Sequence, residues 1–78
     1  MATLRLFAAA RETAGTGRAT IAGTTVGEVL AEAAAMYGER FAEVLTTCRV
    51  WVNGEPATND DAVAHDDEVA VLPPVSGG

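Results

Sequence analysis

Glu68-Val69-Ala70-Val71-Leu72-Pro73-Pro74-Val75-Ser76-Gly77-Gly78 closes the sequence, and the rest of the chain is organised around how this stretch is read. Val69 and Val71 fall on one side and Ala70 and Leu72 on the other, the period of a half-buried strand. Proline lacks the amide hydrogen that a sheet ladder needs, so Pro73-Pro74 ends the strand in a stiff, extended form. Val75 and Ser76 offer little to anchor them, and Gly77 and Gly78 carry no side chain. At roughly 3.3 Å per extended residue, this tail reaches about 20 Å from the body. It can place a bare α-carboxylate at the bottom of a slot too narrow for any Cβ. The expectation is chemistry done on Gly78 inside another protein's active site. The plainer alternative is a frayed terminus of small residues.

Working back from the tail, the 78 residues fit one β-rich domain over residues 1–72, followed by an extended, flexible tail over residues 73–78. A chain this short buries only about 60–65% of its unfolded surface, which leaves little room for both a core and an enclosed active site. No apolar run approaches the roughly 20 residues of a membrane span, and no charged-then-apolar leader opens the chain. The expected location is therefore cytoplasmic, with no membrane contact. A single cysteine, Cys48, excludes an internal disulfide framework and suits a reducing compartment.

The formal charge of −6 argues against nucleic acid as a partner and suits a basic partner surface, such as that of an enzyme handling phosphates. All five basic residues are arginines: Arg5, Arg11, Arg18, Arg40 and Arg49. An activated C-terminus therefore meets no lysine amine on its own chain.

Thr3-Leu4-Arg5-Leu6-Phe7 alternates, with Leu4 and Leu6 inward and Arg5 and Phe7 outward. Residues 8–14 read as a loop or short turn, and Gly15-Thr16-Gly17 as a turn into a second strand, residues 18–22. That strand pairs antiparallel with the first as a hairpin. Thr25-Val26-Gly27-Glu28 has the form of a capping box. Behind it Val26, Val29, Leu30, Ala33, Met36 and Tyr37 recur at helical spacing up to a stop at Gly38, which predicts one amphipathic helix with these residues in the core. Residues 40–45 read as a short helical turn in which Phe41, Val44 and Leu45 seal an edge.

Cys48, Val50 and Val52 share the inward face of a further strand, which makes Cys48 a packed thiol, and Trp51 points the other way. Asn53-Gly54 makes a tight turn, and Pro56 confines the next short strand to an edge. Asp60, Asp61, Asp66 and Asp67 lack metal-loop spacing and read as a solvated loop, so no metal site is expected. His65 has no evident nucleophilic partner. The element order predicts an α+β roll, a mixed sheet grasping one helix. Its last strand lies centrally and parallel to the first, which would bring outward Phe7 and Leu72 together.

Leu4-Arg5-Leu6-Phe7-Ala8 with Arg11-Glu12, the Val52-Asn53-Gly54-Glu55 turn, and the Asp67-to-Gly78 ending together resemble the small subunit of molybdopterin synthase. The Pro-Pro-Val-Ser-Gly-Gly ending is the most specific part. The resemblance implies a ubiquitin-like β-grasp fold and a non-catalytic sulfur carrier. In that family an ATP- and magnesium-dependent activating enzyme adenylates the C-terminal glycine, here Gly78. A persulfide donor then leaves a thiocarboxylate, which supplies the dithiolene sulfur of molybdopterin. The implied partners are the large catalytic subunit, in a heterotetramer, the activating enzyme and the persulfide donor. No cofactor is expected on this chain itself.

By position, Phe7, Arg11 and Leu72 fall where the family contacts the large subunit, and Pro73, Pro74, Val75, Ser76, Gly77 and Gly78 form the inserted tail. Leu72 stands where the family often has an aromatic, and His65-Asp66-Asp67 replaces an Asp-Gly-Asp turn. Three readings compete: a sulfur carrier for thiazole or cysteine synthesis, a ubiquitin-like modifier joined through Gly78 to target lysines, and a plain interaction module.

Overall fold

A computed structural model describes residues 1–74. The elements run β1 (Ala2–Leu6), α1 (Ala8–Ala14), β2 (Arg18–Ile21), α2 (Val26–Tyr37), α3 (Glu39–Leu45), β3 (Arg49–Val52), β4 (Glu55–Pro56) and β5 (Glu68–Leu72). The strands form one sheet in the order β2-β1-β5-β3-β4. β5 lies between β1, to which it runs parallel, and β3, to which it runs antiparallel. Expectations for Val75, Ser76, Gly77 and Gly78 lie outside the described residues.

Alternation sorts the sheet into two faces. Leu4 and Leu6 pair with Val69 and Val71, and all four are buried. They pack with Ile21, with Val26, Val29 and Ala33 of α2, and with Phe41 of α3 in a single core. The helices thus cover one face of the sheet and leave the other open.

The N-terminus of α2 is held from three directions. Thr25 Oγ1 accepts the Glu28 amide at 3.1 Å, as a capping residue should. Glu28 reaches one residue further back than a simple capping box requires, accepting from Thr24 N and Thr24 Oγ1, each at 2.8 Å. The loop before β5 supplies the rest. Asp61 O accepts from Val26 N at 3.0 Å and Asn59 O from Gly27 N at 2.9 Å, so two orphan amides of the helix find backbone partners. This acidic stretch is therefore a structural cap as well as a solvated loop, and its Val63 is buried.

Four sequence-based expectations are corrected. Residues 8–14 are the helix α1, which starts directly after β1 with Phe7 as N-cap and no side-chain cap bond. Ala8 adopts φ 52°, a left-handed conformation that turns the chain sharply into that helix. With α1 in between, β1 and β2 pair antiparallel without forming a tight hairpin. Met36 is 57% exposed, because α2 turns it away from the sheet, so it is not a core residue. Phe41 does more than seal an edge. It is the largest fully buried side chain, with the Tyr37 ring edge-on at 5.1 Å.

Truncating Phe41 to alanine removes the centre of the core and should cost about 3–5 kcal/mol. That is a large share of the roughly 4–12 kcal/mol expected for a domain of this size. Urea unfolding of Phe41→Ala should show a midpoint far below the parent's, whereas Met36→Ala should unfold almost as the parent does.

Candidate functional site

The ends of β1 and β5 define the site. Leu6 pairs with Val71 in parallel register, so the next residues, Phe7 and Leu72, lie side by side on the open face. Phe7 is 37% exposed, Leu72 is half-buried, and the Arg5 guanidinium sits 5.8 Å from the Phe7 ring centre. The outward phase read for both residues therefore holds. Arg11 lies one helical turn beyond Phe7, its amide donating to Phe7 O at 3.4 Å, and it is exposed. Its side chain lies over Gly17, where an added Cβ would come within 3.3 Å of Nε. Phe7, Arg11 and Leu72 thus gather at one end of the sheet. Pro73 and Pro74 leave from that same end, exposed and outside any strand.

Sheet register adds residues that strand-by-strand reading did not assign to the site. Arg49 stands opposite Leu72, and Trp51 opposite Ala70, across the β3–β5 pair. Arg18 stands opposite Arg5 across the β1–β2 pair. The alternation of Arg49 and Trp51 against Val50 and Val52 was visible in the sequence, but the register that brings them to the tail root was not.

The remaining candidates have structural explanations. Cys48 lies just before β3, half-buried against the core, and desolvation raises its thiol pKa above the ordinary value, only partly offset by a hydrogen bond with Thr47. It is a poorly ionised packed thiol. In the acidic loop, Asp61 Oδ2 accepts from Thr58 N at 2.8 Å. Asp67 accepts from Ala64 N at 2.8 Å and from Asn53 Nδ2 at 2.9 Å. These carboxylates close turns. Among the described residues no group of three or more His, Cys, Asp or Glu side chains could hold a metal ion. No helix among them is long and apolar enough to cross a membrane.

A mixed sheet grasping one principal helix, with a proline-stopped central strand at its open face, defines a ubiquitin-like β-grasp protein. Residues 4–78 match the ThiS family. The chain belongs to that family, and is a small ubiquitin-like sulfur carrier of the ThiS type.

Solved structures agree. SAMP1 of Haloferax volcanii, a small archaeal modifier protein, is 33% identical, with a TM-score of 0.79 over 99% of this chain and 98% of its own. A Pyrococcus furiosus protein described as a candidate molybdopterin converting factor, subunit 1, is 26% identical, with a TM-score of 0.84 over 95% of this chain and 97% of its own. A chain of the Amycolatopsis orientalis BexX/CysO complex, at 21% identity, shares the fold with a TM-score of 0.83 over 100% of both chains.

Two measurements check the structural readings. Cys48→Ala should lower the melting temperature modestly and leave sulfur loading intact. Loss of loading by a folded Cys48→Ala variant would make the thiol a relay. Asp67 is held below its ordinary pKa of 3.8 by the Ala64 amide first and Asn53 second. Its contribution is fully present above that value and is lost as pH falls through the lower folded value. Asp67→Asn should therefore reduce stability at neutral pH and flatten the acid decline below about pH 4, as read by urea midpoints across that range.

Proposed function

We propose that this chain is the sulfur-carrying small subunit of a molybdopterin synthase. The observation that carries the reading is the outward Phe7–Leu72 pair placed side by side where Pro73-Pro74 leaves the sheet. An apolar anchor at the base of a diglycine tail serves a protein that docks by its body and delivers its end. The Pro-Pro-Val-Ser-Gly-Gly ending and the likeness to the Pyrococcus protein support this pathway over other uses of the fold.

In this reading the Gly78 carboxylate attacks the α-phosphorus of magnesium-bound ATP on an activating enzyme and expels pyrophosphate. A carboxylate is a poor electrophile, so the mixed anhydride must form before sulfur attacks. The terminal sulfur of a persulfide then displaces AMP at the acyl carbon. A thiol cleaves the resulting acyl disulfide, leaving a thiocarboxylate. This soft nucleophile is carried into the large catalytic subunit, within a cytoplasmic heterotetramer, to build the dithiolene, and the enclosing slot shields it from water. Phe7, Leu72 and Arg11 hold the body against the partner, while residues 73–78 thread the slot. ATP and magnesium belong to the activating enzyme and not to this chain.

The likeness to SAMP1 favours a second reading, a protein modifier joined to target lysines through the same carboxylate. Both readings require adenylation of Gly78 and differ in the nucleophile that follows.

Deleting Gly78 should leave the melting curve unchanged and abolish dithiolene formation in a reconstituted pterin-conversion assay. Retained activity would remove the proposal. Phe7→Ala should weaken binding to the large subunit by about thirtyfold, the effect of losing an anchor worth about 2 kcal/mol. Because the side chain faces outward, stability should scarcely change. A large loss of stability with unchanged affinity, measured by calorimetric titration, would contradict the docking assignment.

A further inference from the structure

The two glycines of Gly15-Thr16-Gly17 serve different ends. Gly15 adopts φ 79°, the left-handed conformation that closes α1, and an added Cβ there would meet nothing within 4 Å. Gly17 has no positive φ, so its backbone would accept an L side chain. An added Cβ at Gly17 would instead stand 3.3 Å from Nε, 3.4 Å from Cδ and 3.6 Å from Cζ of Arg11. Those are its three nearest neighbours beyond the adjoining residues, so what the bare α-carbon makes room for is the Arg11 side chain.

Elsewhere in the chain such clearance serves packing. A Cβ at Gly23 would crowd Val29, and one at Gly27 would crowd the Asn59 backbone that caps α2. Arg11, by contrast, is exposed, and among the described residues its guanidinium makes no ion pair. Glycine at this point also costs conformational entropy that alanine would spare. Neither core packing nor backbone geometry gives a reason for glycine at 17, and the seat of Arg11 does.

That seat is tied to the root of the tail. Gly17 O accepts from Leu6 N at 3.0 Å, which fixes the turn to the residue before Phe7. The Arg11 amide donates to Phe7 O at 3.4 Å, which fixes the other side of the contact to Phe7 itself. The stem of the side chain from Cδ to Cζ lies along Gly17, while its terminal donors meet no carboxylate among the described residues. A planar fork restrained in this way gives up less freedom on binding than an unsupported one.

Resting on the carrier reading above, we infer that Gly17 is a positioning residue for docking: its missing side chain seats the Arg11 guanidinium so that the fork meets a carboxylate of the large subunit. A carboxylate takes the fork in two parallel bonds, which a pre-set orientation favours and a displaced one breaks. Alanine at 17 would press on the stem and turn the fork aside without disturbing the backbone. The phosphate of a pterin substrate offers the same oxyanion chemistry. It would draw on Arg11 only after docking, and would leave the affinity between the two proteins unchanged.

The test uses the full chain and the large subunit, without pterin, and reads the dissociation constant by calorimetric titration. Arg11→Ala should weaken binding about tenfold, the loss of one charge-assisted pair. Gly17→Ala should weaken it about threefold, with a melting temperature no lower than the parent's, because the backbone accepts alanine. In the Arg11→Ala background Gly17→Ala should cost nothing further, since the glycine acts through the arginine. Additive losses from the two substitutions would overturn the inference, as would a Gly17→Ala variant that binds like the parent. A melting temperature lowered by Gly17→Ala in the Arg11→Ala background would mean that the glycine serves the backbone, and would also overturn it. If Arg11→Ala docks normally but raises the KM for pterin, the oxyanion is the substrate's and the inference fails. In each of these cases a parent that docks and transfers sulfur leaves the carrier reading standing. A parent that neither binds the large subunit nor transfers sulfur would sink that reading itself.

Discussion

Parallel pairing of β1 with β5 is the constraint on which the rest of the structure depends. Parallel neighbours cannot be joined by a tight turn, so everything from α1 to β4 forms the connection between them. That connection supplies the helices that cover the inner face, where Leu4, Leu6, Val69 and Val71 are all buried. The same pairing sends both strands toward one end of the sheet. Phe7 turns away there through the left-handed Ala8, and Pro73-Pro74 continues outward. The core and the root of the tail are two consequences of one register.

Placement of that register at the centre of the sheet also determines what surrounds the tail. With β5 flanked by β1 and β3, Leu72 has Phe7 on one side and Arg49 on the other. The chain then needs no pocket of its own. The proposed carrier role calls for a rigid body to dock, an end thin enough to enter a partner's slot, and a carboxylate that can be activated. Cys48, Asp61 and Asp67, other groups with reactive chemistry, are occupied with packing and turn closure.

Much of this was legible in the sequence because it depends on period and punctuation. Alternation placed Leu4, Leu6, Val69 and Val71 inward and Phe7 and Leu72 outward. Thr25 and Gly38 marked the ends of α2, and Asn53-Gly54, both with positive φ, marked the β3–β4 turn. α1 was illegible because no polar residue caps it and its seven residues are too few for a helical stripe to emerge. Met36 continued the stripe of α2 in sequence, but it falls at the stripe's edge and faces outward, while Tyr37 in the same turn packs against the core. Arg18 and Arg49 could not be assigned to the site because cross-strand neighbours follow from register, and register depends on the whole sheet.

The central claim is that Gly78 carries sulfur as a thiocarboxylate. The intact mass of the protein purified from its native cell tests this most directly. The account predicts a species in which one oxygen has been exchanged for sulfur, with the change confined to Gly78 by fragmentation. A chain found only unmodified in cells actively making the cofactor, or found joined to a second protein with loss of water, would contradict it.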